Sequence, residues 1–173
     1  MKIAIIGYSG SGKSTLAKQI ASRIPTPILH LDTIHFTANW QKRNRLEAQR
    51  IEANFRQQQN WIIEGNFQHL NQNDRFQEAD QIIFLDYNRF LCLFQAAYRF
   101  WLNRGKQRDD LAKGSYDRWT FSFLWWILWE GRRPKWKIFY LHLAQQFPDK
   151  FIRLQNHRQA KEYLSTLTAT KSI

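Results

Sequence analysis

Gly7-Tyr8-Ser9-Gly10-Ser11-Gly12-Lys13-Ser14-Thr15 follows directly on the apolar run Lys2-Ile3-Ala4-Ile5-Ile6 and leads into a helical pattern over 16–23. Two glycines separated by four residues and then Lys-Ser, standing between a buried strand and a helix, form the Walker A pattern of a phosphate-cradling loop. The glycines let consecutive backbone N–H groups turn inward on phosphate oxygens, and the helix adds its positive N-terminal end. Gly7, Ser9, Gly10, Ser11, Gly12, Lys13, Ser14 and Thr15 are therefore the expected nucleotide site. Lys13 is expected to reach the β- and γ-phosphates and Ser14 to ligate Mg²⁺.

The rest of the chain has to supply a sheet, an acceptor site and a closing element. At 173 residues it fits one domain, expected over 1–173, able to bury roughly 70% of its unfolded surface. Cys92 is the only cysteine, and the first residues form a strand rather than a leader, so a cytoplasmic location is expected. The longest apolar run, 121–129, falls well short of the ~20 residues that span a bilayer, and no membrane partner is expected. A net charge of +12 draws anions, and positions 89–137 carry eleven Lys and Arg against four Asp and Glu.

Further strands are expected at 28–31, 61–63, 81–86 and 150–154, each followed by a helical pattern or a loop rich in chemistry. Ligands bind beyond the carboxyl ends of such strands, which places Asp32 on the working edge. The aperiodic stretch 33–43 reads as a substrate-facing loop holding Phe36, Trp40 and Arg43. Glu64 and Asp86 close the third and fourth strands; Glu64 is favoured as the Mg²⁺-associated carboxylate, with Asp86 in reserve. Gly65 follows, where substrate can approach the backbone. Positions 44–59 read as an exposed amphipathic helix carrying Leu46, Ile51 and Phe55, and 88–104 as a long helix ended by Gly105. The polar stretch 104–118 reads as a small lid able to close arginines over phosphate. Positions 119–129 are apolar on more than one helical face, which demands core packing or a homodimer contact through this Trp-rich helix. Pro134 suits the first turn of a helix to about 147, and a closing helix to about 167 precedes a frayed end at 168–173. His30 and His35 lie five apart with no third ligand, so no zinc site is expected, and His157 is uninformative.

With these residues in place the chain resembles the adenylate kinase-like branch of the P-loop kinases, and within it the bacterial topology modulation proteins. The resemblance rests on the phosphate loop, Leu31-Asp32, Trp61-Ile62-Ile63-Glu64-Gly65-Asn66, Ile83-Phe84-Leu85-Asp86, the Arg/Asp lid and Arg132-Arg133-Pro134. It implies a three-layer α/β/α fold with a parallel five-stranded sheet in the order 2-3-1-4-5, ATP at the loop, adenine beside the segment ending at Arg158, and an acceptor between strands two and three. Nucleoside monophosphate kinases follow their third strand with Asp-Gly-Phe-Pro-Arg; this chain has Glu64-Gly65-Asn66-Phe67-Gln68 and lacks that acceptor-gripping arginine.

The expected activity is transfer of the γ-phosphoryl group of Mg-ATP, with GTP not excluded, to a nucleotide, nucleoside or other small acceptor. Arg104 and Arg108 from the lid, and Arg132 or Arg133 from the returning helix, would neutralise phosphate charge. Asp32 would act as base or orienter if the acceptor is a hydroxyl. Two alternatives stand beside it: an ATP-binding protein that engages DNA nonspecifically through its basic surface and alters its topology, and an ATPase switch with no acceptor.

Overall fold

The computed structural model describes residues 1–116 and 119–169. The end of the expected lid, 117–118, and the tail at 170–173 lie outside the described residues. Five parallel strands, β1 (Lys2–Gly7), β2 (Ile28–His30), β3 (Trp61–Glu64), β4 (Gln81–Leu85) and β5 (Phe151–Leu154), pair in the order β2-β3-β1-β4-β5. Side chains alternate across a strand, so each central strand feeds two cores. Ile3, Ile5, Ile62 and Ile83 pack on α1 (Lys13–Arg23), α5 (Arg89–Leu102) and α8 (His157–Ala169). Ala4, Ile6, Ile63, Ile82 and Phe84 face the other way, onto α2 (Leu31–His35), α3 (Arg45–Arg56), α4 (Gln72–Glu78) and α7 (Pro134–Gln146). The result is the three-layer α/β/α architecture with the expected strand order.

Four local expectations change. The second strand stops at His30, and Leu31 and Asp32 open the short helix α2 instead of ending a strand. The stretch after Asp32 is accordingly not a loop throughout: α2 occupies its start and a 3-10 turn, Ala38–Trp40, its middle, with Asn39 and Trp40 both at positive φ.

Helix α3 packs Ala48, Ile51 and Phe55 against the core as expected, but it leaves Leu46 out and buries a carboxylate. Leu46 is 72% exposed, while Glu52 is fully buried. Arg56 Nε lies 3.0 Å from Glu52, Asn71 Nδ2 donates to Glu52 at 2.8 Å, and Arg75 Nη1 stands 3.8 Å away. Glu52 is held between α3 and α4 because each buried charge finds an opposite one. Burial still lowers the Arg75 pKa to about 10. Helix α4 itself, capped by left-handed Asn71, had no periodic signal to announce it.

The fourth change concerns α6 (Phe121–Leu128). Only Ile127 of this helix is buried, and Phe121, Trp125 and Trp126 stay exposed, as does Trp129 beyond it. Core packing therefore takes one stripe of the helix and leaves the other open.

Candidate functional site

The phosphate loop crosses from β1 to α1 beyond the carboxyl edge of the sheet. Gly10 has φ 79°, and a Cβ there would stand 2.4 Å from the Cys92 carbonyl oxygen on α5. Only glycine allows that approach together with that backbone. Lys13 folds back over the loop, its Nζ donating to the carbonyls of Gly7 and Tyr8 at 3.1 Å each. Burial pulls its pKa below the ordinary value, against the opposing pull of Glu64 and Asp32.

Ser14 Oγ donates to Glu64 Oε1 at 3.0 Å, and the same oxygen lies 2.8 Å from His30 Nδ1. A carboxylate only accepts, so Nδ1 carries the proton. His30 and Glu64 are direct partners in the β2–β3 register, which is why two residues distant in sequence meet. Asp86 is elsewhere, tied to Arg153 Nε at 2.8 Å. Of the two strand-end acids, Glu64 is the one that meets Ser14.

Asp32 stands beside this group. Burial, then the negative charge of Glu64, raises its pKa to about 6, with Lys13 pulling the other way. Asp110 comes from the lid stretch and is paired through Arg108 Nε at 3.0 Å. Burial alone would raise the Asp110 pKa; Arg108 and the Ser14 hydroxyl bring it below the ordinary value. Gly65, at φ 134°, leaves no room for a side chain, since a Cβ would lie 2.8 Å from the Leu31 Cβ.

These groups open into a cavity of about 760 Å³. Its walls include Ser9, Gly10, Gly12, Lys13, Ser14 and Thr15 from the loop, and Asp32, Glu64 and Trp40. Trp40 is fixed by a segment distant in sequence: its backbone N–H donates to Ser115 Oγ at 3.2 Å and its indole to the Tyr116 carbonyl at 2.9 Å, so its turn and the segment around 115 hold each other. Phe36 meets the Trp40 ring edge-on at 5.2 Å. Arg43 is engaged with the Ile34 carbonyl at 2.9 Å and with Glu47, and does not line the cavity.

The arginines sort differently from the sequence expectation. Arg108 lines the cavity, but Arg104 is exposed and does not. Arg132 stands over the Tyr8 ring, 3.5 Å from its centre, and donates to Cys92 Sγ at 3.2 Å; it does not line the cavity. Arg133 is exposed and paired with Glu130 at 2.8 Å. Arg158 stands in the first turn of α8, exposed and bonded to Glu162 at 2.8 Å, while its neighbour His157 reaches the cavity and meets Gln95 at 3.0 Å. The sequence reading missed Arg99, which lines the cavity from α5. A signal existed: Gln95, Arg99 and Asn103 recur at intervals of four on an otherwise greasy helix, and all three face the cavity.

Asn66, two residues beyond Glu64, clamps the loop. Its Oδ1 accepts from the Gly7 N–H at 3.1 Å and its Nδ2 donates to the Gly7 carbonyl at 2.7 Å.

Solved structures share the fold. A gluconokinase from Sinorhizobium meliloti 1021 aligns at 14% identity over 98% of this chain and 94% of its own, with a TM-score of 0.51. A deoxyadenosine kinase from M. mycoides with dCMP and dCDP bound aligns at 14% identity over 100% of both chains, TM-score 0.52; with dATP bound it aligns at 16% over 96% and 98%, TM-score 0.51. The chain has the P-loop kinase fold. No protein-family profile and no curated protein matches it at the level of sequence.

Within the P-loop kinase fold the residues fit a magnesium-bound triphosphate. The Ser11 hydroxyl is buried with no partner among the described residues, and Lys13 satisfies itself only on loop carbonyls. Mg²⁺ on a nucleotide needs one or two protein oxygens, the remainder coming from phosphate and water. Ser14 and Glu64 are a pair of that kind.

Proposed function

We propose that the protein is a phosphotransferase that moves the γ-phosphoryl group of ATP, with GTP as an alternative donor, to the hydroxyl of a small acceptor. The observation that carries this reading is the convergence of Lys13, the Ser14–Glu64 pair and the high-pKa Asp32 in the wall of one cavity. Magnesium, held by Ser14 and Glu64, would supply charge neutralisation at the phosphates.

The residues of the chain divide the remaining work. The loop amides of 9–15 and Lys13 would bind the donor phosphates, and Arg99 and Arg108 stand where phosphate charge is to be balanced. Gln95 and His157, paired with each other in the cavity wall, would flank the base, with Arg158 able to contribute only by leaving Glu162. Arg104, Arg132 and Arg133 would need a rearrangement of their surroundings to reach transferring phosphate. Asp32, titrating near the working pH, would orient the acceptor hydroxyl and accept its proton. Phe36 and Trp40 would bound the acceptor, Arg43 would fix the turn that carries them, and Gly65 would keep the backbone clear. The acceptor class includes nucleosides and hydroxylated metabolites; the fold neighbours give the DNA-topology alternative no support.

A screen of nucleosides, nucleoside monophosphates and small hydroxylated metabolites for ATP-dependent phosphorylation tests the reading, with Lys13→Ala as control. Turnover of a hydroxyl acceptor that disappears in the control is expected. ATP consumption independent of any acceptor would overturn transfer in favour of a hydrolytic switch.

A further inference from the structure

Two neighbouring helices leave an aromatic surface bare. Helices α5 and α6 run side by side in opposite directions: Arg89 Nη1 donates to the Leu128 carbonyl at 2.9 Å at one end, and Phe100 stacks with Trp119 at 5.7 Å at the other. Inward they bury Cys92, Ala96 and Ile127. Outward, α5 presents Phe90, Phe94, Tyr98 and Trp101, and α6 presents Phe121 and Trp125, continued by Trp129. Phe121 is 79% exposed, Trp101 71% and Phe94 68%. The rings form two ladders, with Phe94–Tyr98–Trp101 spaced at 6.4 and 6.5 Å and Phe121–Trp125–Trp129 at 6.4 and 4.8 Å. Runs of exposed rings of this kind on adjacent helices mark an interaction site.

Charge selects the partner. Neither α5 nor α6 contains an Asp or Glu. Arg89 stands at the start of α5, exposed Arg104 and Lys106 follow its end, and beyond α6 both Arg133 and Lys135 share the single carboxylate of Glu130. A second copy seated on this face would set like charges against each other on a chain of net charge +12. An anionic lipid surface answers both features, since Trp and Tyr rings settle at headgroup depth and Arg and Lys pair with lipid phosphate. We propose that the outward face of α5 and α6 docks on an anionic bilayer surface, with Phe94, Trp101, Phe121, Trp125 and Trp129 inserted among the headgroups and the flanking cations over them. No helix among the described residues is long and apolar enough to cross a membrane, so the contact is with the surface.

Flotation of the full chain with extruded vesicles tests this, comparing phosphatidylcholine alone with a phosphatidylcholine–phosphatidylglycerol mixture at low and raised salt. Binding to the anionic vesicles, weakened by salt and much reduced on phosphatidylcholine alone, is expected. The paired change Phe121→Ser and Trp125→Ser should lower partitioning about tenfold or more, since two largely exposed rings no longer leave water. Quenching of tryptophan emission by brominated lipid in the unaltered protein gives a readout independent of how the variant folds. Absence of co-flotation and of quenching would overturn the proposal, as would an aromatic-dependent dimer in sedimentation with no vesicle binding.

Discussion

Replacing Asp32 by Asn separates the physical chemistry of the site from its function, because the substitution keeps the shape of the side chain and fixes it in the uncharged form. In the folded protein Asp32 titrates at about 6, against an ordinary value of 3.8, chiefly because burial and then Glu64 disfavour its charge. A raised carboxyl pKa means the native state holds its proton more tightly than the unfolded chain, so the penalty is absent below 3.8, grows between 3.8 and about 6, and is complete above. Two pKa units correspond to about 3 kcal/mol, a ceiling that solvent at the cavity wall lowers to about 1–2 kcal/mol. Asp32→Asn should therefore stabilise the protein by that amount at pH 8 and by almost nothing near pH 4. Urea denaturation followed by circular dichroism at both values measures the difference, and groups common to both proteins cancel in it. Turnover should move the other way, falling ~10²–10⁴-fold if Asp32 takes a hydroxyl proton, and the acid limb of kcat/KM near pH 6 should vanish. A stability difference that stays flat with pH, or a variant less stable at pH 8, would refute the electrostatic argument; unchanged turnover would remove Asp32 from the mechanism.

Four further outcomes follow from the geometry. Gly10→Ala sets a methyl group 2.4 Å from the Cys92 carbonyl, so calorimetry should register no ATP uptake and the thermal midpoint should fall, by an amount equivalent to ~2 kcal/mol or more. Asn66→Ala removes both bonds to Gly7; a loss of about 1–3 kcal/mol in chemical denaturation and weaker nucleotide binding are expected. Arg132→Lys cannot reproduce the guanidinium contact on Tyr8 together with the bond to Cys92, and should cost about 1–2 kcal/mol. Arg108→Ala should reduce kcat ~10²-fold or more, whereas Arg104→Ala, outside the cavity, should leave steady-state kinetics within about threefold.

What the sequence makes legible follows the range of the interactions. The phosphate loop is written in nine consecutive residues, and the strands in short apolar runs, so both are read without knowing what packs on them. The end of β2 is not: Leu31 extends the apolar run but turns into α2, where it is fully buried beneath Gly65. The burial of Glu52 on α3 is hidden for the same reason, because it is stabilised by Asn71 and Arg75, partners nineteen and twenty-three positions away. His30 looked uninformative alone and acquires meaning only through its strand register with Glu64. The arginines are hardest, since a guanidinium reaches far and helix phase decides its direction; Arg99 and Arg104 differ by five positions and end on opposite sides of that decision.

The same distribution of arginines bears on the acceptor. Among the charged groups lining the cavity, Asp32, Glu64 and Asp110 stand against Lys13, Arg99 and Arg108, an even balance before any ligand enters. A magnesium-bound triphosphate already adds net negative charge, which the three cations and the helix N-terminus can absorb. An acceptor bearing its own phosphate would bring a second anion toward Asp32 and Glu64, with Arg43 engaged by Ile34 and Glu47, Arg132 by Tyr8, and glutamine rather than arginine at position 68. Like charges at that distance in a partly desolvated site oppose binding strongly. A neutral hydroxyl faces no such repulsion and gives the raised pKa of Asp32 a purpose. On this argument nucleosides should compete for the site far better than their monophosphates, and tighter binding of a monophosphate than of its parent nucleoside, measured by calorimetry with a non-hydrolysable ATP analogue in place, would show that cations now committed elsewhere turn to meet it.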